Sequence, residues 1–562
     1  MISENIKQKI KNLFDQKKYS EVIYIAEKYT NLKERPPGLI NIIGISKFYK
    51  DNLTRQDMFE ALSCFEQTFI KGQNSVHGLN GLMNLIKLGL KASFVFKDLS
   101  KFLHNAAIHY SSAEKYFDKN DQFLDVGLDL FSHLLNIKKQ KEIIHKILNS
   151  NTNSKFLRGR SLFFHNYFYD WSQKHHLSNA KKNLKYFSKL KVIDIKKIDY
   201  ENKDKINLGF VSCDFSNNHS TTFFIKDVIK YLDRKKFKIS IFSITKKNIN
   251  DQSQNELRES SDNWFDLKES NNQNVVEIIQ KKKIDILVDL IGYTKPERLE
   301  IFFSRVAPIQ ISWLAYCNTT GFDTIDYLIA DNNLILPNEE DLYSEKIIKM
   351  PHIWNAHSGF KISRKFNELP CLNKNKFTFG SFNNFRKISD ETIKAWSAIL
   401  KKVSNSRLIL KSSTPCDEES LINKFRLNGV SNRVEIFNKS DFFKKDDHLK
   451  LYNKIDLCLD TFPYNGVTTT FEALWMNVPV LALKGYNFNS RCGESILQNS
   501  KFNFLISRDV NDYISKAVFL SQDENKLSKI RKEIYDEIME TALFDTKKFS
   551  KNFNDLLLKI YD

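Results

Sequence analysis

The residues that most plainly offer chemistry lie in the run Asp456-Leu-Cys-Leu-Asp-Thr-Phe-Pro-Tyr-Asn-Gly-Val-Thr-Thr-Thr-Phe-Glu-Ala-Leu-Trp475. Leu457 to Leu459 read as an apolar strand, and Pro463, Asn465 and Gly466 as a turn. Thr468, Thr469 and Thr470 then open an amphipathic helix. A helix start leaves its first N–H groups unpaired and carries partial positive charge, so it receives phosphate readily. The threonine hydroxyls add donors at the same end. Glu472 sits about one turn in, where a carboxylate can accept ribose hydroxyls while phosphates rest on the helix end.

Further candidates are spread along the chain. Lys387, in Gly380-Ser-Phe-Asn-Asn-Phe-Arg-Lys-Ile388, follows a strand expected at Phe377–Phe382, and an ammonium there can reach a diphosphate. His448, with Lys445 just before it, opens a helix shortly ahead of Asp456. His219 lies in the loop after a strand expected at Leu208–Ser212; an imidazole titrating near neutrality suits taking a proton from a hydroxyl. Asp285 and Asp289 sit in a strand pattern and read as buried structural acids. The cysteines (Cys64, Cys213, Cys317, Cys371, Cys416, Cys458, Cys492) are scattered singly, with no Cys-x-x-Cys or Cys/His ligand spacing, which indicates neither a disulfide framework nor a zinc site.

The elements that must position these residues fall into two kinds. Residues 1 to about 200 show helical spacing and almost no strand pattern. The first part reads as helix–turn–helix units from about Ile6 to Lys33, from Gly38 to Lys71 and from Gly78. Gly44, Phe48, Ala61 and Phe65 fall where a tetratricopeptide repeat puts its small and aromatic packing residues. This predicts tetratricopeptide-like repeats over 1–90 and an irregular helical region over 91–204. The repeats serve either as an acceptor-binding surface or as a stabilising helical cap.

From Asn207 strands and helices alternate. Strands are expected at Leu208–Ser212, Ile239–Ile244, Ile284–Leu290 and Ile309–Tyr316. A polar stretch, Ser358 to Lys376, reads as a linker. A second set follows at Phe377–Phe382, Arg407–Lys411, Val434–Phe437, Asp456–Asp460 and Val478–Leu483. The pattern predicts two Rossmann-like domains, 205–360 and 375–545, facing a cleft, with a helix over 546–562 packing back on them.

The motifs of this region come in order: Gly209-Phe-Val-Ser-Cys-Asp-Phe, Asp285-Ile-Leu-Val-Asp-Leu-Ile-Gly-Tyr-Thr294, Ala307-Pro-Ile-Gln-Ile-Ser-Trp-Leu-Ala-Tyr316, the Lys387 block, His448, the Asp456–Trp475 run and Ser490-Arg-Cys-Gly493. Together they resemble the O-GlcNAc transferase family, glycosyltransferase family 41, over roughly residues 205 to 545. The resemblance implies an α/β GT-B fold behind an all-α helical-repeat region. It implies a metal-independent, inverting glycosyltransferase carrying a sugar, most simply GlcNAc from UDP-GlcNAc, to a protein Ser/Thr hydroxyl. Similar proteins use a GDP-fucose donor, an Asn acceptor or a glycan, and these stay open as alternatives. A non-catalytic helical-repeat scaffold is the alternative from another class.

Carried over residue by residue, the resemblance gives Lys387 the charge of the leaving diphosphate. The N–H groups of Thr468 and Thr469 share that task. Asn384 would touch the donor, Lys445 and His448 would lie against ribose and base, and Glu472 would hold the ribose. His219 would line the acceptor side as a possible base. Two departures stand out: His219 is one residue further from Asp214 than in the family pattern, and Val467 occupies a slot where some members carry His. The nucleotide sugar enters as a co-substrate, and no cofactor or metal is expected. No Asp-x-Asp metal motif is present.

Composition sets the outer limits. A length of 562 residues suffices for roughly three or four domains with cores of their own. No apolar run approaches the ~18 to 20 residues of a membrane span. The first residues form a polar amphipathic pattern without a signal-peptide core, so a cytoplasmic protein is expected. The net charge of +19 comes from lysines spread along the chain, which reads as an ordinary basic surface and not as a nucleic-acid platform.

Overall fold

The computed structural model describes the chain except residues 1–2, 32–33, 151, 169, 198–203, 218, 296–297, 375, 413 and 438–444, and the side chains of 197, 374, 445 and 446. Two compact units emerge, Met1–Thr152 with Ser413–Lys424, and Asn153–Ser412 with Phe425–Asp562.

The first unit is a series of helix pairs: Glu4–Asp15 with Tyr19–Tyr29, Pro37–Tyr49 with Arg55–Lys71, Val76–Lys91 with Leu99–Phe117, and Asp121–His133 with Ile137–Asn149. Each helix buries one stripe, as its apolar spacing requires. A Cβ on Gly44 would lie 2.6 Å from the Phe65 ring, so only glycine lets these two helices approach as they do. Phe48, Ala61 and Phe65 are buried in the same cluster. The pairs continue past residue 90, so the boundary expected there coincides with no break in packing, and the 91–204 region divides between the two units.

The second unit holds two sheets. The first contains β1 (Ile206–Ser212), β2 (Phe237–Ser243), β3 (Asn263–Asp266), β4 (Ile286–Asp289), β5 (Ile309–Ser312), β6 (Tyr327–Asp331) and β7 (Lys346–Met350). Their order is β3-β2-β1-β4-β5-β6-β7, every pair parallel. The second contains β8 (Phe377–Ser381), β9 (Ser406–Lys411), β10 (Val434–Phe437), β11 (Leu457–Leu459), β12 (Val480–Leu483) and β13 (Ile506–Ser507), in the order β10-β9-β8-β11-β12-β13, again parallel. Both orders reverse direction once, between β1 and β4 and between β8 and β11. Ligands of doubly wound sheets bind beyond the strand ends at such a point.

The helices Lys155–His165 and Gln173–Asn183 belong with the first sheet, Leu162 and Ala180 lying in its core beside Val211 and Phe242. β5 ends at Ser312, short of the Tyr316 expected from sequence, and Trp313 turns instead into a stack with Phe553 at 4.7 Å and Phe549 at 6.0 Å. Those phenylalanines come from the Thr546–Tyr561 helix, whose Ser550 hydroxyl also donates to Val228 O at 3.2 Å. Among the described residues no helix is long and apolar enough to cross a membrane.

Candidate active site

The segments that follow β8 and β11 meet at the switch point of the second sheet, and hydrogen bonds join them. Ser389, which caps the Asp390–Lys402 helix, donates its hydroxyl to Phe462 O at 2.7 Å, and Thr392 does the same at 2.8 Å. Asn383 accepts from the Thr469 hydroxyl at 2.6 Å and donates its amide to Asp460 Oδ1 at 3.0 Å. The same carboxylate oxygen accepts the Thr461 and Gly466 N–H groups at 2.9 and 2.8 Å. Asp460 therefore fixes both ends of the turn. Its second oxygen is buried without a hydrogen-bond partner, and burial pushes the group up to about 6, against the pull of the Gly466 N–H and the Lys387 charge.

Lys387 projects into this turn. Its ammonium donates to Asn465 O at 2.8 Å and lies 4.1 Å from the centre of the Tyr464 ring. Burial holds it below the ordinary lysine range, opposed by the Asp460 charge. Two of the ammonium's contacts are thus to a carbonyl and a ring face, which leaves donor capacity for an anion. Beside it the Thr468–Trp475 helix begins without a side-chain cap, because Val467 at the cap position has no acceptor to offer. Its first N–H groups are the orphan donors of any helix start. Asn477, in the left-handed region with φ 64°, ends the helix, and the Val478 N–H returns to Ala473 O at 2.8 Å.

A second polar chain runs through Glu472, which is buried. Its Oε2 lies 2.9 Å from His448 Nε2 and accepts from the Tyr452 hydroxyl at 3.2 Å. On the far side of the imidazole, Lys411 Nζ lies 2.6 Å from Nδ1. An ammonium only donates, so Nδ1 is the acceptor and Nε2 carries the hydrogen that faces Glu472. The Tyr452 hydroxyl is pushed well above its usual range, first by burial and then by the Glu472 charge, and stays a donor.

The expected site residues divide accordingly. Lys387, Thr469, Glu472 and His448 are placed around the β8/β11 ends by the contacts just given, and Thr468 starts the helix that rises from them. Asn384 spends a side-chain oxygen on the Arg386 N–H at 3.1 Å, while its neighbour Asn383 is the residue that faces Thr469. Lys445 begins the Lys445–Lys450 helix, and its side chain lies outside the described residues. His219 belongs to the first sheet, where it caps the Ser220–Lys230 helix: its Nδ1 accepts the Thr221 N–H at 3.4 Å and its Nε2 lies 3.6 Å from Asp214. That helix and the Thr468–Trp475 helix touch through Phe224 and Phe471, edge to face at 5.1 Å. Asp285 and Asp289 are buried and accept backbone N–H groups of Asn207, and of Ile291 and Gly292, which is a structural use. Sequence reasoning missed Asn383, Asp460, Tyr452 and Lys411. The tandem asparagine after β8 was the one local signal; the other pairings join residues far apart in the chain.

A model of the family described as Glycosyl transferase family 41 matches residues 161–361 and 360–553. The chain belongs to glycosyl transferase family 41. It is 31% identical over 358 residues to a tomato (Solanum lycopersicum) protein named probable UDP-N-acetylglucosamine–peptide N-acetylglucosaminyltransferase SPINDLY, covering 62% of this chain and 38% of that one. An Arabidopsis thaliana protein named as the corresponding SEC transferase is 29% identical over 370 residues, covering 64% and 37%. This family 41 chain thus spans about two fifths of the length of the curated relatives it matches. Among solved structures, a mutant of the Thermobaculum terrenum O-GlcNAc transferase superposes with a TM-score of 0.78 at 22% identity, covering 94% of this chain and 98% of that one. The fold is therefore the GT-B arrangement of two parallel sheets behind an all-helical region.

Proposed function

We propose that this chain is an inverting glycosyltransferase that moves GlcNAc from UDP-GlcNAc to a Ser/Thr hydroxyl of a protein. The observation that carries the reading is the Lys387 ammonium, fixed by Asn465 O and the Tyr464 ring beside an uncapped helix start. In this reading the acceptor hydroxyl attacks the sugar's anomeric carbon while the bond to the diphosphate oxygen breaks. The negative charge that grows on the diphosphate is taken up by Lys387 and the Thr468 and Thr469 N–H groups, which are already oriented for it. These groups supply the positive field, so the reaction runs without a metal ion. Glu472, Lys445 and His448 hold ribose and base, and Asn384 borders the donor. His219 lines the acceptor side and takes the hydroxyl proton. The helical unit gathers the protein acceptor, and the work is done in the cytoplasm.

The names of the relatives, which specify UDP-N-acetylglucosamine and a peptide, support this choice of donor and acceptor. The test is calorimetric titration of UDP, UDP-GlcNAc, GDP and GDP-fucose, in EDTA, into the full chain and into Lys387→Ala. Binding of the uridine compounds on the order of micromolar, weakened about tenfold or more in the variant, supports the reading. Binding of the guanosine compounds alone moves the donor assignment, and silence with all four compounds sinks the enzyme.

A further inference from the structure

Lys411 is the last residue of β9 and it is buried. An ammonium loses its water in such a place and needs a partner there. It faces His448: Nζ lies 2.6 Å from the imidazole Nδ1. β9 neighbours β8, and Leu410 pairs with Ser381, so Lys411 stands one step beyond the end of β8, where the Lys387 segment leaves the sheet.

The lysine governs more than the ring it touches. An imidazole has two nitrogens, and the bond made at one sets the state of the other. An ammonium has hydrogens and no lone pair, so Nδ1 presents its lone pair and the ring hydrogen is left on Nε2. Nε2 lies 2.9 Å from Glu472 Oε2. The Tyr452 hydroxyl is shared between that oxygen at 3.2 Å and Thr469 O at 3.1 Å. Two protein donors on one oxygen fix how the carboxylate is turned before any ligand arrives. Aromatic packing keeps the ring in place: Phe382 lies 4.6 Å from Tyr452 and 5.9 Å from His448, and His448 lies 5.8 Å from Tyr452, between ring centres. A second hydrogen on His448 would point at the ammonium, so positive charge stays at Lys411 and negative charge at Glu472.

We propose that Lys411 is a positioning residue of the nucleotide site: it holds His448 as the Nε2–H tautomer and, through that ring, fixes the Glu472 carboxylate that receives the donor's ribose. Without the ammonium, Nδ1 is free to take the hydrogen. Nε2 then turns a lone pair toward the carboxylate, two acceptors meet, and Glu472 swings away. The ribose role of Glu472 rests on the function proposed above. The control of the His448 tautomer rests on the contacts of the three side chains alone.

The test supplies the full chain with isotope-labelled histidine and reads the ring nitrogens of His448 by NMR, the signal being assigned by its loss in His448→Gln. The same samples are titrated calorimetrically with UDP and with GDP. The unsubstituted chain is expected to show one tautomer, with its hydrogen on Nε2. Lys411→Met keeps most of the stem and removes the charge; it is expected to lose that pattern and to bind nucleotide about tenfold more weakly. Lys411→Arg returns a donor, and is expected to regain the Nε2–H pattern and bind within about threefold of the original. In a chain already carrying Glu472→Gln, Lys411→Met should cost less than about twofold, because the group it acts through has been changed; a lysine that only supported the fold would cost the same in both backgrounds. A hydrogen on Nδ1 in the unsubstituted chain, an unaltered His448 spectrum in Lys411→Met, or additive losses overturn the proposal. If neither nucleotide binds the unsubstituted chain, the ribose half falls with the proposed function, while the spectra still decide the tautomer half.

Discussion

At the switch point of the second sheet, the loops after β8 and β11 are bound to each other through Asn383, Asp460, Thr469 and Lys387. At the same point of the first sheet, the loop after β1 turns the other way. The Phe215 N–H goes to Thr245 and the Asn217 N–H to Asp251, both beyond β2, while Asp289 at the end of β4 accepts the Ile291 and Gly292 N–H groups. Gly292 is at φ 52°, and a Cβ there would sit 2.2 Å from Tyr316, so this end of β4 is filled by protein. His219 is left 44% exposed, with Asp214 at 3.6 Å and the Thr221 N–H as its contacts. One sheet presents a prearranged polar end; at the other, the described residues leave the His219 imidazole partly exposed beside β1. In the proposed transfer the leaving-group charge would develop on the prearranged side, where electrostatic catalysis gains most.

Substitutions on the two walls should therefore separate binding from turnover. Lys387→Ala removes the cation at the leaving group, and kcat is expected to fall about a hundredfold or more in a donor-saturated transfer assay. An unchanged kcat would move the chemistry off the second sheet. Glu472→Gln leaves His448 and Tyr452 without their charged acceptor, and UDP affinity measured by calorimetry should drop about ten- to thirtyfold, roughly 1.5 to 2 kcal/mol. His219→Gln should lower kcat about tenfold while leaving the UDP Kd within about twofold; a matching loss of UDP affinity would erase the contrast between the walls. Thr469→Val deletes only the bond to Asn383, worth about 1 kcal/mol, and should weaken UDP about fivefold.

The smallest effect is in pH. In the proposed reading Lys387 would bind phosphate as the ammonium, so UDP affinity is expected to be full below its pKa and to decline as pH rises through it. Burial holds that pKa below the ordinary lysine range, so the decline sets in earlier on the alkaline side than for a surface lysine, and Lys387→Ala should lack that limb.

Local pattern revealed strands in which apolar residues recur, such as β1, β2, β8 and β11, and the helix starting at Thr468. It did not reveal β3, β6, β7 or β13. β3 reads Asn-Trp-Phe-Asp and β7 reads Lys-Ile-Ile-Lys-Met, edge strands whose polar residues mask the period. β13 has two residues, too few for any period to show. The early end of β5 was illegible because its cause, Phe549 and Phe553, lies in the last helix.

In the site, the charged residues after strand ends were visible as types, while their partners were not. Thr469 pairs with Asn383 and Glu472 with Tyr452 across different elements. Asp460 looked like the polar end of a strand, and only its three hydrogen-bond donors show that it shapes the turn.

The stack of Trp313 on Phe549 and Phe553 also bears on the order in which the protein is made. A ribosome delivers the first sheet complete with β7 before any of the second sheet and before the helix that covers Trp313 and accepts the Asp233 N–H through Asn554. Domains emerging from synthesis fold as units when their own contacts suffice. Here the first sheet keeps the Trp313 indole, the Val228 carbonyl and the Asp233 N–H without these partners until the Thr546–Tyr561 helix has been made. Ending the chain ahead of Thr546 is therefore expected to leave Trp313 uncovered and the first sheet prone to association, while the contacts within the second sheet stay as they are.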